Sequence, residues 1–204
     1  MAHTVIALYD DFDDARDAIH ELLDAGYSRD RISLVARDVD ERYAEELEGI
    51  DEDNTGEAIA GGATVGGVLG GIAGVLVGLD AVAIPGIGPV LAVGPIVGGV
   101  IGVGAGAATG GLVGGLTEAG VDEDEAHTYA EGVRRGGTLV AVQAENEAAD
   151  AAADILDDHN PVDVDERETR WREDGWERHD STDEPYTTSE IERERTRNAV
   201  VTRG

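Results

Sequence analysis

The stretch TVIALYDDFDDARDAIHELLDAG, Thr4–Gly26, changes its period part-way along. Its opening, TVIALYD, is rich in β-branched and aromatic residues and reads as a strand. From Asp10 onward the spacing is helical: Phe12, Ala15, Ile19, Leu22 and Leu23 share one face. Asp10 or Asp11 can cap the helix, and acidic residues crowd its first turn, where the helix dipole favours them. Gly26 supplies a left-handed stop. RISLVAR, Arg31–Arg37, reads as a second strand, so the chain opens with a βαβ unit.

A comparable order returns after residue 120. Asp122 and Glu125 match a capping box, and Ala126, Tyr129, Ala130 and Val133 make a helical stripe that Gly136–Gly137 stops. TLVAVQA reads as a third strand. NEAADAAADILDDHN reads as a helix with Ala148, Ala152, Ile155 and Leu156 inward, closed by Asn160–Pro161. VDVD, Val162–Asp165, reads as a short fourth strand. The expected fold is α+β: a ferredoxin-like (split βαβ) sheet domain, with two helices over one face of four strands. Its halves are residues 1–54 and 121–165. The acidic end of the first half has room for a short helix around ERYAEELE.

Residues 55–120 interrupt that domain with glycine at i, i+4 steps. One run holds Gly62, Gly66, Gly70, Gly74 and Gly78; the second holds Gly94, Gly98, Gly102, Gly106, Gly110 and Gly114. On a helix this spacing makes a stripe without side chains, along which another backbone can approach. The reading is a glycine-zipper helical hairpin whose eleven glycines form an oligomer interface. Its reversal falls in DAVAIPGIGPVLAVGP, where prolines break helix and Gly86 and Gly88 permit a turn. Ala58–Leu79 is uncharged and, as a helix, spans roughly 33 Å, the scale of a hydrocarbon core. Its nine Val, Ile and Leu residues supply only about -3 to -5 kcal/mol for insertion. The arms therefore read as a membrane hairpin or, alternatively, as the buried core of a soluble oligomer.

The formal net charge is -29, there is no cysteine, and all fifteen basic residues are arginine. Such a surface suits a high-salt solvent, with a disordered acidic chain as the alternative. It argues against nucleic acid as a partner and against electrostatic binding to anionic head groups. No secretory leader is expected at the N-terminus. The tail, residues 166–204, is acidic, carries Trp171 and Trp176, and is expected to hold one or two short mobile helices. Thr187 with Glu190 matches a further capping box.

Signs of chemistry are sparse. DEDNTG begins like a calcium loop, but the twelfth position is Gly62, where a bidentate Glu is required. Asp10, Asp11, Asp13 and Asp14 are explained by capping. His3, His20, His127, His159 and His179 lack a zinc spacing, and a lysine-free chain has no P-loop. Arg134 and Arg135 offset a helix dipole, with a small anion as an alternative partner. No catalytic residue, cofactor or metal site is assigned, and the chain is expected not to be an enzyme.

VIALYDDFDDARDAIHELLDAGY, AIPGIGPVLAVGP, EAHTYAEGVRRGGTLVAV and VDVDER together resemble the general stress protein 17M-like domain family over about Thr4–Arg167. The resemblance implies a stress association and no established catalytic residue or cofactor. The expectation is a non-enzymatic, stress-associated homo-oligomer assembled through the glycine zipper. It would be membrane-associated with a cytoplasmic sheet domain, and the bilayer would be its second partner. The alternative is a cytoplasmic oligomeric sensor whose ferredoxin-like domain binds a small ligand.

Overall fold

A computed structural model of the chain describes residues 2–37, 82–84, 86–96 and 107–201. The fold mixes helices with an antiparallel sheet. The strands are β1 (Ala2–Tyr9), β2 (Ile32–Ala36), β3 (Val82–Ile84), β4 (Gly88–Val93) and β5 (Thr138–Glu145). The helices are α1 (Phe12–Asp24), α2 (Ala107–Glu118), α3 (Glu123–Arg134), α4 (Glu147–Asp157), α5 (Val164–Glu173) and α6 (Thr188–Val201).

The sheet order is β1-β5-β2-β4-β3, antiparallel throughout. β5 is an inner strand, between β1 and β2, and its apolar Leu139–Val142 is buried on both faces. On one face, Ala7, Tyr9, Leu34, Val140 and Val142 meet α1 and α4 through Phe12, Ile19, Leu22 and Leu156. Each fully buried Leu, Ile, Val or Phe among them contributes roughly 1.5–3 kcal/mol. Asp11 caps α1 by accepting from the Asp13 N–H, and the buried Tyr9 hydroxyl donates to the Leu156 carbonyl at 2.8 Å. Of the expected α4 stripe, Ala152 and Leu156 are buried and Ile155 packs half-buried against the core, but Ala149 is buried in place of Ala148, which is exposed.

The opposite face is also covered, which a sheet with helices on one side only did not anticipate. Leu8, Val35, Leu139 and Ala141 pack there against Leu112 and Leu116 of α2 and Ala126, Ala130 and Val133 of α3. Ile84, Ile87, Val90 and Ile96 complete this second core.

The expected helical reversal at residues 80–95 is instead the hairpin β3–β4, turning at Gly86–Ile87 and joined to β2 through β4. Alternating apolar residues with glycine and proline fit that hairpin as well as a helix break, and burial of Val90 and Ala92 decides between them. The expected fourth strand is also absent. Val162 makes one backbone hydrogen bond to the Leu8 carbonyl, and Asp163 then caps α5, which begins at Val164.

The register places two chain points close together. Ala36 lies opposite Leu91, and Val82 lies opposite Val90, with β4 between them. Two strand spacings, roughly 10 Å, therefore separate the place where residues 38–81 leave the sheet from the place where they return.

Candidate functional site

Helix α3 carries AHTYAEGVRRGG into the start of β5, and the C-terminal tail packs on its last turn. Glu131 faces the tail and is fully buried. Its carboxylate takes Arg135 Nε at 2.7 Å, Arg134 Nη1 at 3.1 Å and His179 Nδ1 at 3.4 Å. Arg135 also reaches Glu194 of α6 at 3.2 Å, and the Trp171 indole N–H of α5 donates to that same carboxylate oxygen at 3.2 Å. The Arg135 guanidinium lies over the Trp171 ring at 4.8 Å, and Arg134 lies over Tyr186 at 4.6 Å. Arg37, at the end of β2, donates to the carbonyls of Arg134 and Tyr186.

The charge balance follows from burial and pairing. Burial alone would raise the Glu131 carboxyl, but His179, Arg135 and Arg134 outweigh it and hold the group below its ordinary value. Burial alone would lower Arg135, and Glu131 reverses that. Arg37 is pushed down by burial and by the neighbouring Arg134. Both Glu131 oxygens are taken by cationic or imidazole donors, so the group is an ion-pair hub. Arg134 and Arg135, candidates for a small anion, are engaged by Glu131, Glu194 and the tail.

The tail is thus a docked part of the fold. Trp171 and Ile191 are each 2 % exposed. Gly136 ends α3 at φ +99°, and a Cβ there would lie 2.3 Å from the Ile191 side chain, so α6 seats on a position only glycine can fill. The Thr187–Glu190 cap forms, with Glu190 accepting from the Thr187 N–H at 2.8 Å. Asp10 joins the tail as well, through a two-pronged pair with Arg167 at 3.0 and 2.8 Å. Glu131 and Glu194 were missed from sequence because nothing in their spacing distinguishes a buried carboxylate from a solvated one. The available signal was the Arg134–Arg135 pair in a chain whose acidic tail carries two tryptophans.

Of the eleven zipper glycines, Gly94, Gly110 and Gly114 lie among the described residues; Gly62, Gly66, Gly70, Gly74, Gly78, Gly98, Gly102 and Gly106 lie outside them. Gly94 is not on a helix. It sits after β4 with φ +97°, and a Cβ there would meet the Ile32 carbonyl at 2.2 Å. Its lack of a side chain serves contact with β2. Gly110 and Gly114 do lie in α2, which is broken at Gly111 (φ 46°, ψ -135°). Among the described residues nothing lies within 4 Å of a Cβ placed at Gly114. The second arm, expected as a helix carrying the run Gly94–Gly114, is therefore a strand and a bend at its start and, further on, a buried kinked helix. Among the described residues no helix is long and apolar enough to cross a membrane.

A separate cleft of about 700 Å³ opens where β5 runs past the start of β2. Tyr27, Arg31, Gln143, Ala148, Ala151 and Ile155 are among its walls.

Comparison with known families bears on the first half of the chain. Residues 4–83 match the heat induced stress protein YflT domain. This accords with the general stress protein resemblance of the motifs. The YflT match takes in β1, α1 and β2 and stops inside β3. It leaves out β5, the strand that joins β1 to β2. The YflT segment therefore depends on the second half of the chain to close its sheet. Neither the curated proteins nor the solved structures contain a match to the chain.

Proposed function

We propose that the protein is a stress-associated, non-catalytic self-assembling protein, with the sheet domain as platform and the glycine-rich chain as the assembly element. The supporting observation is the pair of neighbouring points, on either side of β4, between which residues 38–81 make their excursion. At i, i+4 spacing, the glycines from Gly62 to Gly78 would give a helix a stripe suited to close backbone contact. Stress association comes from the YflT match. Association between copies is favoured over a bilayer hairpin, because the second arm contributes β4 and the buried Leu112 and Leu116 to the core.

Sedimentation velocity of the full chain with Gly70→Leu and Gly102→Leu tests this. The reading expects a smaller particle at unchanged thermal stability; an unchanged particle, with and without detergent, overturns it. The cleft beside Arg31 favours a second reading, in which the domain binds a small ligand and assembly is accessory. That reading expects the wild-type particle to survive the leucine substitutions.

A further inference from the structure

The sheet ends on β1, and among the described residues the outer side of that strand is paired at Leu8 alone. The Val162 N–H bonds the Leu8 carbonyl from outside the sheet at 2.7 Å, so Leu8 points its backbone groups away from β5. Backbone groups alternate in direction along a strand, so Thr4 and Ile6 also point outward, while Val5, Ala7 and Tyr9 bond β5. Among the described residues no backbone group pairs with the outer side of Thr4 or Ile6. Native edges are usually blunted by charge, proline, a bulge or short length. Ala2–Leu8, AHTVIAL, has no Asp, Glu, Lys, Arg, Pro or Gly, and β1 pairs with β5 over eight residues without a bulge. In a chain of net charge -29 this is a place where a second copy can approach without meeting carboxylates along the contact line.

We propose that Ala2–Ile6 pairs antiparallel with the same strand of a second copy, about a twofold axis through Thr4. Two constraints set the register. Val162 occupies the edge at Leu8, which leaves Ala2–Ile6. Outward-bonding residues must face one another, which places Thr4 opposite Thr4 and Ala2 opposite Ile6. The arrangement is self-complementary, as an isologous contact must be, and fuses two sheets into one. A second copy is the occupant because the strand offers no charge to select another partner and matches its own uncharged sequence.

The twofold keeps corresponding faces on the same side. It therefore brings together the two α4 helices, which pack over β1 and β5 and carry Glu147, Asp150 and Asp154. Their repulsion opposes the contact at low salt and is screened within about 3 Å at 1 M. Association through β1 strengthens as salt rises.

The contact is independent of the glycine seam, and a cysteine-free chain lets it be tested separately. Thr4→Cys places the two thiols on residues whose Cα atoms are about 5.5 Å apart, within disulfide reach. Mild oxidation should give a covalent dimer whose yield rises toward about 1 M NaCl and persists alongside Gly70→Leu and Gly102→Leu. Thr4→Pro removes an outward N–H and leaves the β5 ladder intact; it should weaken dimerisation roughly tenfold or more in sedimentation equilibrium. Because the Thr4 hydroxyl donates to the Ala119 carbonyl, His3→Asp at an exposed position is the second variant, and it should weaken the dimer too. Folded Thr4→Cys protein that does not cross-link, or dimerisation unchanged by both Thr4→Pro and His3→Asp, overturns the proposal. Loss of the larger particle in the leucine variants with cross-linking retained would count for the seam and leave β1 pairing standing.

Discussion

Replacing Glu131 with Gln isolates the charge of the hub while keeping its shape. The carboxylate is fully buried and holds Arg135, Arg134 and His179 at 2.7, 3.1 and 3.4 Å. Removing one partner of a buried ion pair costs 3–5 kcal/mol, because the other charge is left uncompensated. Here the cost falls at the lower end, about 3 kcal/mol, since Arg135 keeps Glu194 at 3.2 Å and Gln retains an acceptor. At 2–4 °C per kcal/mol for a chain of this size, the thermal midpoint should fall by about 6–12 °C. Tryptophan fluorescence is the assay, because Trp171 lies buried under Arg135 and reports on the docked tail. Its transition should run ahead of far-ultraviolet circular dichroism if the tail leaves before the sheet melts. About 1 M NaCl should not restore the loss, since a buried pair is poorly screened. Arg135→Met added to Glu131→Gln should cost less than the sum of the two single changes. A Glu131→Gln protein within about 0.5 kcal/mol of wild type, the range of ordinary surface changes, would refute the hub.

Gly94→Ala puts a Cβ 2.2 Å from the Ile32 carbonyl at φ +97° and should cost at least about 1–3 kcal/mol, read as a drop in urea midpoint; a neutral result would mean that β4 does not press on β2 there. Acidification should destabilise the fold in two stages. Burial, Arg178 and His179 hold His127 below its ordinary value, so its contribution is present above about pH 6.5 and is lost as pH falls through the lower folded value. Glu131 is also held low, so its contribution is present above about pH 4.5 and is lost below that. Urea midpoints at pH 7.5, 5.5 and 4 check the trend, and His127→Gln should flatten the upper stage.

The local elements are legible in the amino-acid sequence. The 3.6-residue stripe of Phe12, Ala15, Ile19 and Leu22 could be nothing but a helix face, and TLVAVQA, bounded by glycines on one side, could be little but a strand. Caps at Asp11 and Asp122 were legible because capping is a contact between neighbours in the chain. Tertiary structure decided whatever depended on distant partners. IPGIGPVLAV suits a helix break or a hairpin equally well, and only the open edge of β2 selects the hairpin. VDVD alternates like a strand, yet Asp163 caps a helix because Trp171 and Arg167 of that helix find Arg135 and Asp10. Gly94 kept the zipper spacing while serving a close approach to Ile32. A buried Glu131 has the same local sequence signature as an exposed one. Its burial is tolerable only because Arg134 and Arg135 from its own helix and His179 from the tail meet it in one place, and that meeting is a property of the folded chain.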